Sequence, residues 1–186
     1  LVNGIACQQL SLVVGIHLLN RLCTGYGLSV DNHHAFPRPE DLAAACVEDL
    51  RKFGFSRRKV EYILSISRAV VEGQLDLNDL EKLDNDSAVS RLCEIHGVCR
   101  WTAQYVARRG LGRLDVYHAD DVGSQSKIQR WLRLSNRPDY EGIHRIIGKW
   151  STYRGLVYFL LLLDDQMRQG LLLDGAQTHH DYAASG

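Results

Sequence analysis

The run Ile95-His96-Gly97-Val98-Cys99-Arg100-Trp101-Thr102-Ala103-Gln104-Tyr105 joins two segments of helical periodicity and confines what this chain can fold into. A glycine that closes one helix, followed at once by the start of another, predicts a tight helical hairpin. The exposed N–H groups of such a turn, with the positive end of the second helix beside them, suit an anion, a phosphate above all. Downstream, Ala119-Asp120-Asp121-Val122-Gly123 puts an acid 20 positions after Trp101, shortly before a further helical segment. A carboxylate there is stabilised as an anion by the helix dipole and the exposed amides. Beside a nucleic acid it could stabilise positive charge on a sugar losing its base, or orient an attacking water. A charge pair about 4 Å apart at an effective dielectric of 20 contributes about 4 kcal/mol, roughly a thousandfold in rate. Plain helix capping is the alternative for Asp121.

Helical periodicity dominates the rest of the chain and strand alternation is hard to find, so the expected fold is all-α, with about eight helices. Ile5, Leu10, Val13, Val14, Ile16, Leu18, Leu19 and Leu22 cover most of a helix circumference and predict a buried central helix. Residues 23–39, with Gly25, Gly27, Pro37 and Pro39, read as a loop. Pro39 then opens a helix reaching Leu50, Gly54 stops it, and Ser56 caps the next, whose Val60, Ile63, Leu64, Val70 and Val71 share a face. After Gly73, a cap among Asp84, Asn85 and Asp86 starts a helix over about 87–95. Others are expected over about 100–109, 126–134, 140–150 and 153–169, with a flexible tail over 171–186 that includes His179-His180.

At 186 residues the chain suffices for one core or for two small lobes sharing a cleft, and a single compact unit is expected. Its 45% hydrophobic and 24% charged content excludes wholesale disorder. The longest apolar run, Gly155 to Leu163, is far shorter than the roughly 20 residues of a membrane span, and no signal peptide is recognisable. The chain opens on Leu1-Val2-Asn3 without Met, as part of a longer protein would. Five cysteines without a C-x-x-C pair indicate neither a zinc site nor a disulfide framework, and the eight histidines show no ligand spacing. No metal is therefore expected, and a reducing cytosol or nucleus fits. A net charge of zero argues against nucleic acid, but the distribution is uneven. Arg100, Arg108, Arg109 and Arg113 lie in one acid-free stretch, and Arg51, Lys52, Arg57, Arg58 and Lys59 form a second basic group, whereas acids gather over 76–86. Solvated helix faces are the plainer explanation of such runs.

The hairpin and the acid occur with Ile5-Ala6-Cys7-Gln8-Gln9-Leu10-Ser11-Leu12, Phe36-Pro37-Arg38-Pro39, Gly54-Phe55-Ser56-Arg57-Arg58-Lys59, Gly73 and Trp150-Ser151-Thr152-Tyr153-Arg154. In that order these motifs resemble the helix-hairpin-helix DNA glycosylase superfamily, in its 3-methyladenine DNA glycosylase II branch, as far as about Arg168. The resemblance implies two helical lobes flanking a cleft crossed by DNA, in a catalytic domain over 1–170 with its hairpin at about 87–109. It implies a monofunctional glycosylase acting on alkylated purines in base excision repair. Double-stranded DNA containing damaged bases would be the partner of a monomer working in the cytoplasm, at the bacterial nucleoid, or in a nucleus.

By the same resemblance Asp121 is the catalytic acid, with Asp120 its neighbour. Relatives that also cut the DNA backbone hold a lysine where Trp101 stands, whose amine forms a Schiff base with the sugar, and an indole cannot do this. Trp101 and Tyr105 share a helix face and, with Leu162, would border the pocket for an everted base, core packing being the alternative for Tyr105. Alkylated purines carry positive charge, which an aromatic wall attracts by about 0.5–2 kcal/mol. Leu162 stands where the best-known bacterial enzyme has a base-stacking tryptophan. Gln9 matches the residue that inserts into the duplex, with Gln8 beside it, and cross-linking of helices is the alternative for both. Gly97, Val98, Cys99, Arg100 and Thr102 are the expected phosphate contacts. No cofactor is required, although the branch allows a monovalent cation at carbonyls of the hairpin turn.

Two departures stand out. Cys99 replaces a second glycine, where a side chain could hinder approach to the phosphate, and it is expected to be an inert packed thiol rather than a redox-sensitive one. Cysteines are absent from the C-terminal third, which removes the iron–sulfur loop of some relatives. The rival readings are a non-catalytic damaged-DNA-binding protein of the same fold, suggested by the neutral charge, Cys99 and Leu162, and a bifunctional oxidised-base glycosylase, which Trp101 disfavours.

Overall fold

Side-chain caps written into the sequence start five of the helices. Ser11, Ser56, Asp84, Asp121 and Asp139 each accept a hydrogen bond from the backbone N–H three residues on. The computed structural model describes residues 1–170, so the tail expected over 171–186 lies outside the described residues. Two compact units divide the chain, one over Leu1–Gly112 and one beginning at Arg113.

The first unit contains α1 (Val2–Cys7), α2 (Leu12–Tyr26), α3 (Pro39–Ala43), α4 (Val47–Lys52), α5 (Arg57–Val71), α6 (Asn85–Cys93) and α7 (Arg100–Gly110). Its core gathers Ile5, Leu22, Leu42, Leu50, Val60, Ile63 and Leu92, all sealed from solvent. The second unit contains α8 (Val122–Trp131), α9 (Tyr140–Gly148) and α10 (Arg154–Arg168) around Ile128, Ile143 and Ile147. No helix among the described residues is long and apolar enough to cross a membrane.

Three expectations are corrected. The central helix from Ile5 to Leu22 is broken into α1 and α2, because Gln9 adopts a left-handed φ of 56° and the Ser11 hydroxyl caps a new helix on the Val14 N–H. Within α2, Leu18, Leu19 and Leu22 are buried, yet Val13, Val14 and Ile16 remain 45–46% exposed. Apolar periodicity counts residues but not the neighbours available to cover them. The helix from Pro39 to Leu50 is likewise two, since the chain turns at Ala44 and Ala45 and is extended again at Cys46. The expected loop over 23–39 holds a small antiparallel ribbon, β1 (Ser29–Val30) and β2 (His33–His34), with Ser29 opposite His34 and Val30 opposite His33. Strands of two residues are too short for alternation to register.

Candidate active site

The hairpin forms as read. Asp84 opens α6 on the Ser87 N–H at 2.9 Å, and Gly97 turns the chain with a left-handed φ of 90°. Any β-carbon at Gly97 would lie 2.2–2.5 Å from ring carbons of buried Tyr62, so position 97 needs both the backbone freedom and the small volume of glycine. Cys99 is the extended N-cap of α7 and provides no side-chain cap to its first turn. Val98 anchors the turn with a buried side chain, while Arg100 is exposed.

Three expectations are revised here. Cys99 is exposed rather than packed, with its Sγ 3.4 Å from the Thr102 hydroxyl. Thr102 is completely buried, backbone as well as side chain, so it presents no surface to a phosphate. Arg108 is buried as well, which reduces the basic stretch to Arg100, Arg109 and Arg113.

The loop between α1 and α2 separates its two glutamines. Gln9, on its left-handed backbone, is exposed. Gln8 instead points inward, its amide nitrogen donating to the Gly97 carbonyl at 3.1 Å and to the Thr102 hydroxyl at 2.7 Å. The cross-linking alternative therefore describes the Gln8 side-chain amide. Lys59 completes the brace by donating from Nζ to the carbonyls of Ala6 at 2.9 Å and Gln8 at 2.8 Å. Burial pulls its ammonium below the ordinary lysine value, an effect that Cys7 partly offsets.

Sequence reasoning placed Lys59 in a basic group and missed this role; its only signal was membership of the Gly54 to Lys59 motif. Lys59→Met should leave two part-buried carbonyls unsatisfied and cost about 1–3 kcal/mol. A fall of several degrees in thermal midpoint checks this, and a parental midpoint would show the brace to be idle.

Trp101 and Tyr105 stack at 5.5 Å between ring centroids with planes 21° apart, both half-buried. The Tyr105 hydroxyl donates to the Asn3 side chain at 3.0 Å, and burial raises its phenol above the ordinary tyrosine value. The Arg109 guanidinium lies 5.7 Å from the Tyr105 centroid. Neither aromatic belongs to the sealed core, so each keeps an accessible edge.

In the second unit Asp121 is the N-cap of α8, its Oδ2 accepting from the Ser124 N–H at 2.9 Å, so the capping alternative is structurally true. Asp121 is half-buried and Asp120 exposed. Tyr158 of α10 also donates to Oδ2 of Asp121, at 3.4 Å, and Oδ1 takes part in neither bond. Asp165, buried on α10, receives Arg130 at 3.0 Å and Lys127 at 3.5 Å. Leu162 is partly buried on the same helix. Among the described residues no group of three or more His, Cys, Asp or Glu side chains could hold a metal ion.

A mostly helical chain in which a glycine-turned hairpin precedes such an acid fits the helix-hairpin-helix class of proteins. The model of the HhH-GPD superfamily base excision DNA repair proteins matches residues 2–152, and the chain belongs to that family. It is 33% identical over 146 residues to a putative DNA-3-methyladenine glycosylase of Bacillus subtilis (strain 168), covering 78% of this chain and 51% of that protein. Against DNA-3-methyladenine glycosylase 2 of Escherichia coli (strain K12) the identity is 32% over 156 residues, covering 82% and 52%. A solved structure of a Schizosaccharomyces pombe 3-methyladenine DNA glycosylase in complex with abasic DNA matches with a TM-score of 0.75 and 27% identity, over 86% of this chain and 76% of that one. The chain spans about half the length of the two bacterial relatives.

Proposed function

We propose that this chain is a monofunctional DNA glycosylase that hydrolyses the N-glycosidic bond of alkylated purines, of the 3-methyladenine type, in double-stranded DNA and leaves an abasic site. The observation that carries this reading is the carboxylate of Asp121, which caps α8 through Oδ2 and keeps Oδ1 out of that bond. As the C1′–N bond breaks, its electron pair moves to the alkylated ring, which departs neutral and needs no general acid. Positive charge is left on the sugar, where an anion stabilises it and orients the water that attacks C1′.

On the first unit the Cys99 amide and the start of α7, with exposed Arg100, suit a phosphate, the Val98 N–H being engaged by the Ile95 carbonyl at 3.0 Å. Gln9, exposed on its left-handed backbone, suits insertion into a duplex, and the stacked Trp101 and Tyr105 suit a cationic base. A monovalent cation at the turn would use the carbonyls of Ile95 and Gly97. Each accepts one hydrogen bond, from Val98 and Gln8 respectively, and retains a second lone pair, so the donors fit. The ion would add positive charge beside the phosphate.

The test is base release from methylated duplex DNA by the purified chain, with products separated chromatographically. Free 3-methyladenine with strands intact until alkali is added is the expected result. Strand scission without alkali would favour a bifunctional enzyme, and binding to abasic-site duplex without base release would favour the non-catalytic reading. Trp101→Ala should slow single-turnover excision roughly tenfold, from a stacking contribution of about 1–3 kcal/mol, with little change in the salt dependence of binding. An unaltered rate would remove Trp101 from the pocket.

A further inference from the structure

We propose that Tyr158 is a positioning residue for Asp121, a role that rests on the glycosylase reading above. Two donors converge on one carboxylate oxygen: the Ser124 N–H, from the first turn of α8, and the Tyr158 hydroxyl, from α10, 37 positions beyond Asp121. A carboxylate held by a single backbone amide can still turn about Cβ–Cγ, a soft torsion, and exchange its two oxygens. A second donor on the same oxygen, from a different helix, assigns Oδ2 to the fold and Oδ1 to chemistry.

Helix capping does not require this second donor. Asp84 caps α6 through bonds to Ser87, and Asp139 caps α9 through its bond to Gly142, each within its own turn. Lys127, also on α8, is ion-paired with Asp165 at 3.5 Å.

Tyr158 is itself held firmly enough to act as a reference. Its ring meets Tyr117 edge-on at 5.7 Å with planes 80° apart, and lies 5.0 Å from the ring of buried His118. The Tyr117 hydroxyl is hydrogen-bonded to the Ser124 hydroxyl, the residue whose amide caps Asp121. One tyrosine therefore fixes the donor end of the capping turn and the other fixes the acceptor end, and the two rings brace each other. This places the carboxylate at a set angle, which is worth more to a transition state than to the bound ground state.

Tyr158→Phe removes only the hydroxyl and preserves the edge-on contact. In the 186-residue chain, single-turnover base release from methylated duplex DNA at saturating protein is expected to fall about three- to tenfold. The Kd for an abasic-site duplex and the thermal midpoint should stay at the parental values. A parental excision rate in Tyr158→Phe overturns the role. So does a slower rate matched by an equal loss of affinity or by a lowered midpoint, because the ring would then serve only the fold. Absence of base release by the parent chain would defeat the glycosylase reading and this proposal together. Release by the parent with an unaltered Tyr158→Phe rate would defeat the proposal alone.

Discussion

Asp121→Asn is expected to lower base release from methylated duplex DNA by about a thousandfold or more, the magnitude of removing one unit charge about 4 Å from a developing cation. Asparagine caps helices as well as aspartate does, so the bond to the Ser124 N–H survives and the thermal midpoint should move little. Affinity for an abasic-site duplex should therefore stay close to the parental value. The neighbouring acid provides the control. Asp120 is exposed and caps nothing among the described residues, so Asp120→Asn should excise at close to the parental rate. If Asp121→Asn and the parent released base equally fast in single-turnover assays, Asp121 would be a capping residue and nothing more.

Gly97→Ala is the second large effect and acts on the other half of the machinery. Alanine must adopt a φ of 90° and would drive its β-carbon to 2.2 Å from the Tyr62 ring, which is edge-on to His96 and buried. Backbone strain and overpacking each cost about 1–3 kcal/mol, and together they should lower the thermal midpoint by several degrees or melt the hairpin. The Gly97 carbonyl also receives the Gln8 amide, so moving the turn disturbs the loop that presents Gln9. Binding to abasic-site duplex should weaken strongly in Gly97→Ala but not in Asp121→Asn. A fully stable Gly97→Ala chain with parental DNA affinity would refute the part given to the turn.

Much of the local structure was legible. Glycine at 97, proline at 39 and capping residues at 56 and 84 act within one turn of the chain and place their element boundaries close to where they are read, whereas α8 starts at Val122, four residues before the expected 126. What was not legible depends on partners distant in sequence. The Gln8 and Gln9 pair looked alike until folding turned one against Gly97 and Thr102 and left the other in solvent. Lys59 resembled any surface lysine beside Arg57 and Arg58, and Arg108 resembled any helix-surface arginine. Tyr158 carried no motif at all, because the bond that singles it out reaches 37 residues back to Asp121.

The sequence by itself determined that this chain is helical and where its hairpin turns, because caps, turns and periodicity are interactions between residues three or four positions apart. Only the tertiary structure decided which oxygen of Asp121 is occupied, which glutamine is presented and which arginines are withdrawn from the surface. Those outcomes depend on which side chains from distant segments arrive at the same place. Burial and hydrogen bonding are properties of that arrival, and nothing in the order of the residues alone expresses them.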